Sequence, residues 1–184
     1  MGKTYDALPD DHAAWIARQP MFFVATAPLA GDGHVNCSPK GLDSLRVLDP
    51  RTVAYVDLTG SGAETVAHVL ENGRVTLMFC AFEGLPRIVR VYGRGEVCLR
   101  GSARWAELAP RLPELPGARS IVVVHVERVM DSCGYGVPRM QPVAERDTLV
   151  EWARAKGPAG VAAYRREKNT ASLDGLALPD FGTA

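Results

Sequence analysis

YVDLTGSGAETVAHVLENG, residues 55–73, opens with the alternation of a strand, bends through Thr-Gly-Ser-Gly and continues with the spacing of a helix. Ala63, Val66, Ala67 and Leu70 fall at i, i+3, i+4 and i+7, so an apolar stripe runs along a helix of roughly ten residues that stops at Asn72-Gly73. His68, off that stripe, reads as a surface residue. The glycine-rich bend has two readings. It is a plain connection, with Ser61 capping the helix and Glu64 completing a capping box. Or it is a cradle, in which unpaired N–H groups and the positive end of the helix receive an anion.

Working outward, the flanking segments read as strands. Upstream lie MFFVATAPL, a turn at Ala30-Gly31-Asp32-Gly33, HVNCSPKG, and then LRVLDPRTVAYVDL, which turns at Asp49-Pro50-Arg51. The acidic start of DDHAAWIARQ suits a short helix before them. Downstream come RVTLMFCAF, a turn at EGLP, and RIVRVYGRGEVCLR, where Gly93 and Gly95 mark a bulge or tight bend. ARWAELAPRL reads as a short helix, and SIVVVHVERVMDS as a strand buried on both faces. Six or seven strands with hairpin-length connections predict a mainly β fold, an antiparallel barrel or sandwich rather than a doubly wound parallel sheet. After about Glu145 the character changes: ERDTLVEWARAKG and GVAAYRREKN read as two helices packed outside the sheet, followed by an irregular TASLDGLALPDFGTA.

Composition narrows the function classes. The 184 residues suit a single domain, and 21 basic against 21 acidic residues leave no basic run to follow a phosphodiester backbone, so nucleic acid is not an expected partner. The apolar stretches are too short to cross a bilayer, and the charges scattered through the first twenty residues do not form an export signal; a cytoplasmic protein is expected. Cys37, Cys80, Cys98 and Cys133 form no C-x-x-C pair, and His12, His34, His68 and His125 form no metal-ligand spacing, so no metal is expected. Neither a G-x-S-x-G elbow nor a Walker loop is present, and YGRGEV lacks the setting of a dinucleotide fingerprint.

HVNCSPKG, the strand–bend–helix–strand YVDLTGSGAETVAHVLENGRVTLMF, and RIVRVYGRGEV come in an order that resembles the FMN-binding split-barrel family related to pyridoxamine 5'-phosphate oxidase, over about residues 21–138. The resemblance implies a six-stranded antiparallel split barrel that binds FMN at the interface of a homodimer. The helical extension at about 145–184 would complete a single domain spanning 1–184. The family's phosphate position corresponds here to Ser61, Gly62 and Thr65. The family enzyme carries a Ser-Arg-Lys run at this bend, however, and this chain has GAET, so the countercharge must come from elsewhere. Lys40, part of the family pattern on the preceding strand, is the first candidate and Arg46 the second.

Asn36 and Ser38 share one face of their strand and are placed to meet the flavin or its ribityl chain, unless that face is simply solvated. Arg90, in the middle of an apolar strand, needs a carboxylate or an electron-rich ligand, and over FMN it would favour the reduced, anionic ring. SCGYGVP weakly resembles the family's WGGYRV, with Ser132 for the Trp and Gly136 for the Arg, which argues against a pyridoxamine phosphate substrate; Tyr135 would line the pocket. The implied function is an FMN-dependent oxidoreductase that moves a hydride through flavin N5 to or from a small molecule, with no acid or base named. The alternatives are a flavin carrier, a cofactor-free scaffold, or a relative that uses a deazaflavin or heme.

Overall fold

Among the described residues, eight strands and four α-helices follow one another: β1 (Thr4–Tyr5), α1 (Asp10–Ile16), β2 (Phe22–Thr26), β3 (Asn36–Lys40), β4 (Leu45–Asp49), β5 (Thr52–Leu58), α2 (Glu64–Asn72), β6 (Arg74–Cys80), β7 (Ile88–Leu99), α3 (Ala103–Leu108), β8 (Ala118–Ser132) and α4 (Thr148–Lys168). The structure, a computed structural model, describes residues 2–182; Met1 and the last two residues of the expected irregular tail lie outside the described residues. All strand pairs are antiparallel, in the order β3-β2-β6-β7-β8-β5-β4 with β1 added against β8. The strand beyond the expected six or seven is β1, whose two residues are too few to show a period.

The sheet curls into a split barrel. β2 and β5 are separated by three strands in the sheet order, yet the rings of Phe22 and Tyr55 lie 5.4 Å apart across the interior. Val122 and Val124 point into this core, while Ile121 and Val123 join Ala54, Cys98 and Leu108 in a second cluster under α3. That is why the IVVV run is buried on both faces, as its continuous apolar sequence predicts.

Both expected glycine sites in β7 serve close approach. The ladder shifts register between Tyr92 and Gly93, where a Cβ would collide with the carbonyl oxygen of His125. At Gly95 a Cβ would sit 2.8 Å from Cγ1 of Val69, so glycine lets α2 lie directly on the sheet. The helix ends as expected: Gly73 takes the left-handed conformation, φ 72°, and its N–H donates to the Val69 carbonyl.

The buried side of α2 differs from the expected stripe. Thr65, Val66, Ala67, His68 and Val69 are all buried and Leu70 is exposed. The helix is covered on more than one side, so His68, expected at the surface, is 0% exposed, with Nδ1 3.0 Å from the Thr26 hydroxyl. The capping box of the plain-connection reading does not form either. Ala63 is the N-cap, and the Glu64 carboxylate accepts instead from the N–H of Leu173 in the tail.

The two helices expected in the tail are the two halves of α4, broken at Gly157 (φ 63°, ψ 170°) before Pro158. Among the described residues no helix is long and apolar enough to cross a membrane.

Candidate functional site

The bend between β5 and α2 is held from behind by side chains that bind its carbonyl groups. Asn169 donates to the Gly60 carbonyl at 3.0 Å, Arg119 Nη2 to the Gly62 carbonyl at 3.0 Å, and Arg165 Nε to the Thr59 hydroxyl at 2.8 Å. The amides of Gly60, Ser61 and Gly62 donate to no acceptor among the described residues. A bend with tethered carbonyls and free N–H groups at a helix N-terminus is the geometry that receives an anion.

The charges behind the bend are unbalanced. Asp57 is 0% exposed; its Oδ2 accepts from Arg119 Nε at 2.7 Å and its Oδ1 from Lys40 Nζ at 3.1 Å. Arg165, 2% exposed, donates through Nη2 to the carbonyls of Gly117 and Ala118, and its Nη1 has no partner among the described residues. Lys40, Arg119 and Arg165 thus surround a single carboxylate. Burial alone would raise the Asp57 carboxyl, but the Arg119 and Lys40 charges and hydrogen bonds outweigh it and hold it at about 2. Burial, with repulsion from Arg119 and Arg100, lowers Arg165 to about 10, so it remains a cation at neutral pH. Uncompensated buried cations are costly, and an anion at the bend would offset them.

In front of the bend lies a cleft of about 820 Å³. Thr59, Gly60 and Ser61 of the bend line it, together with apolar Met21, Leu42 and Phe82 and with Leu149, Trp152 and Tyr164 of α4. The volume falls in the range of small-molecule and cofactor sites.

The residues singled out in the sequence separate into groups. Ser61 lines the cleft and Lys40 joins the charge cluster behind it. Gly62 contributes its carbonyl to Arg119. Asn36 and Ser38 lie on the inner face of β3, not the solvated one. Ser38 donates to Asn36 Oδ1 at 2.9 Å, and Asn36 Nδ2 donates to Thr65 Oγ1 at 3.0 Å and Thr26 Oγ1 at 3.2 Å. Thr65 is therefore buried in this network beside the bend. Arg46 is clamped by Asp43, with Nη1 2.7 Å from Oδ1, and does not line the cleft. Arg90 reaches no carboxylate among the described residues; its Nη1 donates to the Ser132 hydroxyl at 3.2 Å, and it does not line the cleft. Tyr135 is 82% exposed and also outside the cleft lining.

Asp57, Arg119, Arg165, Asn169, Trp152 and Tyr164 were not anticipated. A signal existed for two of them: Asp57 interrupts an apolar strand, and Arg165 follows Val161 and Ala162 by four and three residues, on the buried face of its helix.

Comparison with known proteins agrees with this architecture. The family described as Pyridoxamine 5'-phosphate oxidase matches residues 8–133. A pyridoxamine 5'-phosphate oxidase family protein of Aspergillus flavus, ustO, is 39% identical over 191 residues, covering 94% of this chain and 76% of that protein. Among solved structures, HupZ of Group A Streptococcus is 25% identical with a TM-score of 0.51, covering 66% of this chain and 91% of HupZ. A candidate pyridoxamine 5'-phosphate oxidase from Lactobacillus delbrueckii is 23% identical with a TM-score of 0.52, covering 68% of this chain and 94% of its own.

Proposed function

Because the chain belongs to the pyridoxamine 5'-phosphate oxidase family, we propose that it is an FMN-dependent oxidoreductase acting on a small molecule. One observation carries this reading: free bend amides, backed by a buried excess of positive charge, open onto an apolar cleft. The phosphate would take the amides of Gly60, Ser61 and Gly62, with Arg119, Arg165 and Lys40 supplying the countercharge that the missing Ser-Arg-Lys run does not. When bound, the flavin supplies hydride transfer at N5. The chain's contribution is to anchor the phosphate, exclude water with Leu149 and Trp152, and fix the orientation of whatever enters. Among the described residues no His lines the cleft, which favours a flavin over a heme needing an imidazole ligand.

A homodimer completes the picture. The connection between β8 and α4 leaves Tyr135 82% and Val143 100% exposed, apolar surface that a second copy would cover. Light scattering would then give twice the monomer mass. Free thiols at all four cysteines suit a cytoplasmic setting.

The test compares FMN with riboflavin, which lacks the phosphate, by quenching of flavin fluorescence. FMN should bind more tightly, and Ser61→Asp should weaken FMN by tenfold or more while sparing riboflavin; Arg165→Lys should retain FMN binding. Equal affinity for FMN and riboflavin would overturn the reading. A second reading, a flavin carrier, is favoured by one feature: among the described residues, the only charged cleft-lining side chains are the adjacent Glu145 and Arg146 at the rim. Bound flavin that no electron donor bleaches anaerobically would select the carrier.

A further inference from the structure

Residues 148–168 lie beyond the stretch that the family matches, 8–133, yet they build one wall of the cleft. Trp152 and Tyr164 are twelve positions apart, which in a straight helix is about 18 Å. Their ring centroids are 5.0 Å apart, edge to face at 77°. Only the break at Gly157-Pro158, which folds the second half of α4 back on the first, brings them together. The resulting corner is fixed from both sides. Lys156 Nζ lies 5.4 Å from the Trp152 ring and 5.7 Å from the Tyr164 ring. Tyr164 also precedes Arg165, whose guanidinium is bound to Thr59, Gly117 and Ala118.

This corner shares the cleft lining with Met21, Leu42, Phe82 and Leu149. The cations at the bend are held by Asp57 and main-chain carbonyls, and Lys156 is held over the Trp152 and Tyr164 rings without lining the cleft. Away from the bend, the charged lining is Glu145 and Arg146, neighbours of opposite sign on the exposed rim. A second phosphate would find only Arg146, on the exposed rim beside Glu145, and Lys156, already engaged by two rings, whereas a ring or branched hydrocarbon would find the apolar side chains that dominate the lining.

We propose that α4 is a specificity element: its Trp152–Tyr164 corner selects a substrate carried on a bulky, uncharged aromatic body, and rejects phosphorylated amines. The inference rests on the flavin reading in assigning the bend to the cofactor and the aromatic corner to the substrate.

Equilibrium dialysis of 2-naphthol against the full chain, with and without FMN, tests it. The protein should bind 2-naphthol, and Trp152→Ala and the more exposed Leu149→Asp should each weaken binding at least tenfold, with helix content unchanged by circular dichroism. Pyridoxamine 5'-phosphate should fail to displace the probe. Unchanged binding in both variants, no binding by the parent, or displacement by pyridoxamine 5'-phosphate at lower concentration than 2-naphthol itself would overturn the proposal. FMN titrated in parallel separates the two ideas. Loss of the flavin reading appears as no FMN uptake, and loss of this one as 2-naphthol data indifferent to α4.

Discussion

Replacing Asp57 with Asn removes the only carboxylate among three cations while preserving shape and one acceptor. Its carboxyl sits at about 2 in the folded protein against an ordinary value of 3.8, and each unit of difference is about 1.4 kcal/mol, so the ionised group contributes about 2 kcal/mol to stability at neutral pH. The sign follows from the depressed folded value. The contribution is fully present above the unfolded value near 4, falls to about half near pH 3, and is lost as pH drops through about 2. Urea denaturation of the parent and Asp57→Asn at pH 7, 4 and 3 should therefore show a gap of about 2 kcal/mol at pH 7 that narrows with acid. Asp57→Ala should cost more, about 3–5 kcal/mol, because Arg119 then loses its acceptor as well as its countercharge. A gap between parent and Asp57→Asn that is the same at pH 7 and pH 3 would mean that packing, not charge, is responsible, and the account of the cluster as an electrostatic unit would fail.

Other perturbations probe separate parts of the fold. Gly95→Val, which forces side-chain atoms against Val69, should cost about 1–3 kcal/mol in denaturant unfolding; a neutral effect would show that α2 does not rest on β7 as described. Gly157→Ala, at φ 63° and ψ 170°, should destabilise by about 1–3 kcal/mol and reduce the near-ultraviolet dichroism of the Trp152–Tyr164 pair. Iodoacetamide at pH 8 should modify the exposed Cys37 and Cys133 but not Cys80 or Cys98 until the chain unfolds, as mass spectrometry of the native protein can verify. Burial raises both protected thiols, and with the neighbouring Glu96 carboxylate pushes Cys98 up to about 12.

Local signals in the sequence carried the barrel well. Hairpin turns, the Gly73 stop and the continuous IVVV run each reflect a constraint set within a few residues, and each appears in the structure where expected. His68 and Leu70 were misread because a single apolar stripe assumes a helix covered on one side; α2 is covered on more. Ser61 and Glu64 match a capping box, but the competing partner for Glu64, Leu173, lies 109 residues further on. The site follows the same division. The bend was visible as a glycine-rich helix start, and Lys40 as a strand cation. Its principal cations, Arg119 and Arg165, come from a strand and a helix distant in sequence; the spacing of Arg165 to Val161 and Ala162 marks it as buried, but nothing local to either residue says that they meet at the bend. Arg90 was correctly judged to need a partner, but its partner is the Ser132 hydroxyl one strand away.

The way α4 is fastened bears on how such a barrel can diverge. Arg165 and Asn169 grip the oxygens of Gly117, Ala118 and Gly60, atoms that every amino acid supplies. Mutation along those segments changes what projects from the chain without removing these main-chain handholds, provided the backbone keeps its course, and only the Thr59 hydroxyl bound by Arg165 is open to loss by substitution of the bend. A lineage can therefore rework its catalytic interior while the cover stays seated, and exchange the cover's aromatic residues for new substrates without disturbing its grip.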